Sequence, residues 1–361
     1  MHDVLLVGAG RVGRTVVHML GAEEGYRVRV ADRDPARAAA VAAEAGRAEA
    51  FAEPVDQPAA LRRALEGMKA VISAAPFTEN RRIAEAAADA GVHYLDLTED
   101  VSVTRFVKEL AASGRGAAFV PQCGVAPGFI TLVGMHLVEQ LDRVDTLTLR
   151  VGALPDQPNN RLKYNLTWST EGLVNEYLHP CEALRGGKLV TVPPLEGKEE
   201  IIVDGVAYEA FTTSGGVGTL CHTLEGRVKR LDYKTMRYPG HLELVRFLLD
   251  DLRFRESPEE LVRIFQRSIP TTRDDVVLVS ARALGYVGDQ FVERTWWRRV
   301  GSQMIGEHAF TGIELSTAAG VAGPLHLLLD GHIPAKGLVK LESIALHDFL
   351  ATPFGRWVGR A

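Results

Sequence analysis

The chain is poor in cysteine: Cys123, Cys181 and Cys221 are its three thiols in 361 residues. Three scattered thiols exclude a disulfide framework and a cysteine zinc site. Positive charge is not in surplus either. Lys and Arg total 41 against 46 Asp and Glu, a formal net charge of −5, so a nucleic-acid backbone is not expected as partner. No apolar run reads as long enough to span a bilayer. A strand-like run begins almost at Met1 and leaves no room for a signal peptide. The expectation is a cytoplasmic enzyme without a membrane partner. No Gly-x-Ser-x-Gly elbow and no His-Glu-x-x-His helix occurs. Ser214-Gly215-Gly216-Val217-Gly218 lacks the Gly-Lys-Ser/Thr ending of a phosphate loop. The 11 histidines are scattered without metal-ligand spacing, so no metal is expected. Arg294-Thr295-Trp296-Trp297-Arg298-Arg299 mixes bases with aromatics, but reads better as a strand with charged tips than as a single-strand binder. No internal repeat or low-complexity linker is evident.

What is present is enough apolar material for a sizeable core: 46% hydrophobic residues with 24% charged. The length suggests two domains. The chain opens on Val4-Leu5-Leu6-Val7-Gly8-Ala9-Gly10-Arg11-Val12-Gly13, an apolar run followed by Gly-x-Gly-x-x-Gly. Each glycine has a physical task in a dinucleotide site. Gly8 turns the chain out of the strand, Gly10 lets the backbone approach a pyrophosphate, and Gly13 lets the next helix pack on the sheet. Arg11, Val12 and Gly13 would present their amides to the phosphates at the helix N-terminus. Val12, Val16, Val17 and Leu20 follow with helical spacing, and Tyr26 to Val30 alternates as a second strand. Asp32 then sits about 20 residues past the glycines, where a ribose-binding acid belongs. Such an acid repels a 2′-phosphate and favours NAD. Arg33 beside it suits a 2′-phosphate and keeps NADP open.

The first third alternates strands with helices, which implies a doubly wound parallel sheet. Helices are expected from Asp34-Pro35 through Ala45, from Gln57 to Met68, and from Thr78, as N-cap, to Ala90. Buried strands are expected at Ala70 to Ala75, His93 to Leu97 and Ala117 to Gln122. Ligands of such sheets lie at the carboxyl ends of the strands. That brings Ala75-Pro76-Phe77, Asp96 and Cys123-Gly124-Val125-Ala126-Pro127-Gly128 to the cofactor, with Cys123 as a small apolar neighbour. Substrate is expected between this edge and a second domain. After residue 128 the texture becomes β-rich. Asp145 to Gly152, and the pair Asp275 to Ala283 with Gly288 to Val300, read as strands of a mixed, largely antiparallel sheet. Leu154 to Arg161 reads as loop. Gly312 to Leu329 is again helical, Pro334 to Leu341 is extended, and the C-terminus is expected to return to the first domain. The domains are therefore 1–128 with 312–361, and 129–311.

A second cluster is Tyr233-Lys234-Thr235-Met236-Arg237-Tyr238-Pro239-Gly240-His241, with two cations, two tyrosines and a histidine in nine residues. Arginine offers a bidentate fork to a carboxylate and lysine a point charge. The bland alternative is a solvated basic turn, with His241 capping the helix that starts near Leu242. Tyr164 and Trp168 either wall an aliphatic substrate or are core aromatics.

The glycine fingerprint, Gly124-Val125-Ala126-Pro127-Gly128, Tyr164-Asn165-Leu166-Thr167-Trp168-Ser169, Thr213-Ser214-Gly215-Gly216 and the Tyr233 to His241 run occur in that order. Over nearly the whole chain this resembles the saccharopine dehydrogenase family. The resemblance implies a Rossmann domain closed by the C-terminal segment, with an inserted α/β domain for substrate and for homodimer or higher contacts. It implies an amino-acid substrate held by Arg237, Tyr164, Trp168, Thr213, Ser214, Gly124 and Val125. In the glutamate-forming branch the Gly124 to Gly128 turn typically carries an aspartate where Ala126 stands here. The turn is closer to the lysine 6-dehydrogenase branch. The implied reaction is oxidation of a carbon bearing an amine, with a general base to remove the ammonium proton. Asp96 is the first candidate, with His241 and Lys234 as rivals. Saccharopine-type chemistry is the alternative substrate reading. A non-catalytic NAD-sensing protein is the alternative of another class.

Overall fold

The computed structural model describes residues 1–114 and 116–359. It divides into two compact units. The first comprises Met1–Leu132, Gln303–Phe310 and the described residues from Glu314 on; the second comprises Val133–Ser302 and Thr311–Ile313.

The first unit is a parallel sheet of β1 (His2–Val7), β2 (Tyr26–Ala31), β3 (Ala48–Ala50), β4 (Ala70–Ser73), β5 (His93–Asp96) and β6 (Ala118–Val120), with the short strand Gly337–Leu338 at its edge. The spatial order is Gly337–Leu338, β6, β5, β4, β1, β2, β3. The order reverses between β1 and β4, the switch point where such sheets bind ligands. Gly337 and Leu338 pair with Ala118 and Phe119, so the C-terminal segment returns to this sheet. The core strands are apolar on both faces, as crossover helices require: Val4, Leu5, Leu6, Val71 and Ile72 are buried completely. α1 (Arg11–Gly21) follows β1, and α2 (Pro35–Ala45) follows β2. α2 starts where its sequence dictates. The Asp34 carboxylate caps it by accepting from the Ala36 amide at 3.0 Å, and Pro35 occupies the first turn. A cap of this kind is worth about 1 kcal/mol.

Four expectations need correction. The helix over Phe77–Ala90 takes Pro76 as its N-cap, so Thr78 lies inside the first turn. Proline's fixed φ and the missing amide suit a helix entrance better than the sequence pattern suggested. Helix Val101–Ala112 was not anticipated; Asp100 caps it by accepting from the Val103 amide at 2.8 Å. Leu154 and Pro155 belong to a strand, not to the loop after it. The helix Gly312–Leu329 is, among the described residues, long and apolar enough to cross a bilayer, contrary to the expected absence of such a run. Some 72% of it is buried within the protein, as a helix that is apolar all round requires.

The second unit is an eight-stranded mixed sheet. Its strands are β7 (Arg143–Pro155), β8 (Cys181–Arg185), β9 (Lys188–Val192), β10 (Glu199–Val203), β11 (Val206–Phe211), β12 (Val228–Arg237), β13 (Asp275–Val287) and β14 (Gln290–Gly301). The main order is β10, β11, β12, β7, β13, β14, and β8 joins β12 to β9. Only β12 with β7 is parallel; the other pairs are antiparallel. Beside the sheet a core of Tyr164, Leu173, Tyr177, Phe211, Leu242 and Phe265 packs with neighbouring apolar side chains.

Candidate functional site

The first 34 residues of the first unit bring together the glycine turn, a helix start and an acid that could hold a dinucleotide. Gly8 adopts φ +106°, and a Cβ there would sit 2.6 Å from the Ala74 carbonyl carbon. A Cβ on Gly13 would lie 1.8 Å from the Gly8 oxygen, so α1 can approach the turn only through a glycine. Gly10 is different in kind: a Cβ there would meet nothing within 4 Å. The protein itself therefore does not demand glycine at position 10, whereas a pyrophosphate lying against the backbone would. The first bond of α1 runs from the Arg14 amide to the Gly10 oxygen at 2.8 Å. The amides of Arg11, Val12 and Gly13 precede it and have no acceptor within the helix. No acidic side chain occupies that turn, which leaves its positive end for an anion.

Asp32, 8% exposed, follows β2. Its Oδ2 accepts from the Ala9 amide at 2.7 Å and its Oδ1 from the Asp34 amide at 2.9 Å. One backbone donor on each oxygen leaves a lone pair apiece for ribose hydroxyls. Arg33 is exposed beside it. These residues fit a nicotinamide dinucleotide: a glycine that only a ligand explains, and an acid positioned by the glycine turn itself.

Along the same sheet edge, Ala75 and Phe77 are half-buried and Pro76 is exposed past the end of β4. Asp96 ends β5 and is wholly buried. Its Oδ1 accepts from the amides of Thr98 at 3.0 Å and Gln122 at 2.9 Å, and its Oδ2 accepts from the Tyr94 hydroxyl at 2.9 Å. Asp96 is thus a strut joining the ends of β5 and β6. Burial pushes its pKa up to about 6 against the opposing pull of the Gln122 and Thr98 amides and the Tyr94 hydroxyl. Cys123 is buried, with its thiol directed to the Val120 oxygen at 3.0 Å and its pKa raised well above the ordinary value by burial. It is an inert neighbour. Gly124 and Val125 are buried and supply the carbonyls that accept from Phe129 and Ile130, both at 2.9 Å, starting the next helix.

Glu99 was missed at the sequence level. It lies three residues beyond Asp96 and is half-buried. Burial raises its pKa to about 7, and the nearby Asp100 and Asp96 carboxylates push the same way. The available signal was its place just past the carboxyl end of a core strand, next to an acid already singled out.

The second unit gathers the other candidates. Tyr233 to Arg237 close β12, so the cluster is not a solvated basic turn. Arg237 is 2% exposed. Its Nη1 donates to Thr235 Oγ1 at 2.6 Å and to the Met236 oxygen at 2.9 Å, and its Nε donates to the Tyr177 hydroxyl at 3.4 Å. The guanidinium lies 5.1 Å from the Tyr164 ring centroid, in cation–π range. Each of these partners is uncharged. Tyr164 is completely buried and accepts from Trp168 Nε1 at 3.0 Å, so both aromatics belong to the core.

His241 is the first residue of its helix, and Gly240, not His241, is the N-cap. Its ring nitrogens meet the Tyr177 hydroxyl at 3.0 Å and the Leu162 oxygen at 2.9 Å. Burial, reinforced by the Arg237 charge, lowers its pKa to about 3, so it is neutral and already bonded at both nitrogens. Lys234 donates to the Gly197 oxygen at 2.6 Å and to Glu199 Oε2 at 2.9 Å. Its ammonium is thus already engaged by a carbonyl and a carboxylate, which disfavours a role as base. Thr213 and Ser214 are buried; the Thr213 hydroxyl and the Asn165 side-chain oxygen have no hydrogen-bond partner. Buried polar atoms of that kind need an explanation, and a polar ligand is one.

Comparison with known proteins agrees with this organisation. Residues 4–118 match the saccharopine dehydrogenase NADP binding domain, and residues 124–356 match the saccharopine dehydrogenase C-terminal domain. The NADP(+)-dependent, L-glutamate-forming saccharopine dehydrogenase of Schizosaccharomyces pombe is 25% identical over 260 residues, covering 69% of this chain and 58% of that protein. Its Saccharomyces cerevisiae counterpart is 24% identical over 273 residues, covering 72% and 60%. The aligned region thus spans less than two thirds of these relatives. The apo structure of the L-Glu-forming saccharopine dehydrogenase from Saccharomyces cerevisiae superposes with a TM-score of 0.78 at 18% identity, over 99% of this chain and 96% of that one, and shows the same fold. The chain belongs to the saccharopine dehydrogenase family.

Proposed function

We propose that this protein is an NAD(P)-dependent oxidoreductase that acts on a carbon–nitrogen bond of an amino acid, with L-lysine oxidised at its terminal carbon. The observation that carries the reading is Arg237. It is a buried cation with uncharged hydrogen-bond partners, which suits one substrate carboxylate. Among the other cations of β7 and β12, Arg150 is matched by Glu199 and Asp232, Lys229 by Asp145, and Lys234 by Glu199. Lysine brings one carboxylate and saccharopine three, so a single arginine with uncharged hydrogen-bond partners, set near the buried Glu176 carboxylate, favours lysine. Ala126, in place of the aspartate typical of the glutamate-forming branch, points the same way. The named curated relatives favour saccharopine, which is the second reading.

Gly8, Gly10, Arg11, Val12, Gly13, Asp32 and Arg33 would hold the cofactor, whose nicotinamide supplies the hydride acceptor. The substrate ammonium must lose a proton before its carbon can be oxidised, because only the free lone pair stabilises the developing imine. Glu99 is our candidate for that base in place of Asp96, whose oxygens already take three hydrogen bonds. The C–H bond breaks with its electron pair leaving as hydride. Water then converts the imine to an aldehyde with release of ammonia. The test offers lysine, saccharopine and related amines with NAD and with NADP, and follows nicotinamide absorbance. Turnover of saccharopine but not lysine would select the second reading. Cofactor binding without turnover of any amine would select a sensing protein.

A further inference from the structure

Away from the strand ends, the first unit brings together three metal-ligating side chains that lie far apart in sequence. They are His18 of α1, Glu44 of α2 and His308 of the hairpin Gln303–Phe310. One ligand atom from each lies within 4.8 Å of the other two. Glu44 Oε1 is 3.0 Å from His308 Nδ1 and 3.7 Å from His18 Nε2. Tetrahedral zinc with bonds near 2.1 Å places its ligand atoms roughly 3.4 Å apart, and the two observed separations straddle that value. The rings of His18 and His308 have centroids 4.7 Å apart at 58°.

The second observation is the state of His18. Its side chain is 6% exposed, and Nε2, directed at this cluster, is buried without a hydrogen-bond partner. A buried nitrogen left unpaired is costly, and its presence calls for a missing partner. Glu44 and His308 are 29% and 37% exposed, which gives an ion a path in and room for a water as fourth ligand. Arg14 donates to Glu44 through Nε, at 2.8 Å to Oε2 and 3.0 Å to Oε1, and through Nη2 to Oε1. It fixes the carboxylate, but its charge opposes a cation. That selects for an ion that binds imidazole strongly over a hard one such as Mg²⁺ or Ca²⁺.

We propose that His18, Glu44 and His308 form a binding site for one divalent d-block ion of the zinc type. The ion would tie α1, α2 and the hairpin together within the first unit. The test titrates the metal-stripped full chain with Zn²⁺ against a chromophoric chelator and compares it with His308→Ala and Glu44→Gln. Both altered residues are partly exposed, and the melting temperature of each metal-free variant checks that it folds. The expected result is one tight equivalent per chain, weakened at least about tenfold in each variant. Zn²⁺ should also raise the melting temperature of the parent and not of His308→Ala. No stoichiometric binding by the parent would overturn the proposal. So would binding that His308→Ala leaves unchanged, since the ion would then sit on other histidines.

Discussion

The Ala9 amide donates to Asp32 Oδ2 at 2.7 Å, so the acid after the second strand is fastened to the glycine turn after the first. This bond sets the carboxylate before any cofactor arrives. Asp32→Asn keeps an oxygen for the Ala9 amide and removes the charge that repels a 2′-phosphate. The ratio of KM values should shift toward NADP by about tenfold, equivalent to ~1.4 kcal/mol. Arg33→Ala should shift it the other way. Steady-state kinetics with the two cofactors checks both.

Gly10 and Gly13 separate ligand space from packing. Gly13→Ala drives a methyl into the Gly8 carbonyl, so it should destabilise the first unit by about 1–3 kcal/mol. Gly10→Ala meets no protein atom within 4 Å and should melt like the parent. It should nevertheless bind dinucleotide at least about tenfold more weakly, a loss of ~1.4 kcal/mol. Thermal melts with fluorescence titration of NADH and NADPH test the pair.

The two acids after β5 call for opposite outcomes. In Asp96→Asn, one oxygen retains the Thr98 and Gln122 amides while the new amide group faces the Tyr94 hydroxyl, which can turn to accept. Turnover should stay well short of the ~10²–10⁴-fold loss that removal of a general base brings. Glu99→Gln should show that loss. A base must be unprotonated to accept a proton, so the parent's kcat/KM should fall as pH drops through about 7. Glu99→Gln should lose that limb of the profile. A full loss in Asp96→Asn would restore Asp96 as the base.

Arg237→Ala should raise KM for lysine by about 10–100-fold, the effect of a charge-assisted hydrogen bond worth ~1.5–3 kcal/mol. A diamine of the same length without the carboxylate should show no comparable rise. Equal effects on both substrates would remove Arg237 as the carboxylate clamp.

Much of the fold was legible because its signals are local. The glycine turn, Asp32 and the apolar cores of β1 and β4 follow from the period and the spacing of a few residues. The helix Gly312–Leu329 has the bounds that its helical pattern suggested. What sequence could not show was who bonds to whom. Asp96 read as the first candidate base at a strand end, yet Gln122, distant in sequence, holds it. His241 read as a cap or a base, yet Tyr177 and Leu162 occupy both ring nitrogens. Lys234 read as a rival base until Glu199 was seen beside it. His18, Glu44 and His308 show the same limit: without a short spacing motif, only the fold assembles them.

The central claim is oxidation of an amine-bearing amino acid, and absorbance at the nicotinamide band tests it most directly. Purified protein is mixed with NAD or NADP and offered lysine, saccharopine or related amines. The account expects reduced cofactor to form in step with ammonia when lysine is supplied. Saturable cofactor binding with no reduction on any amine in the panel would contradict it.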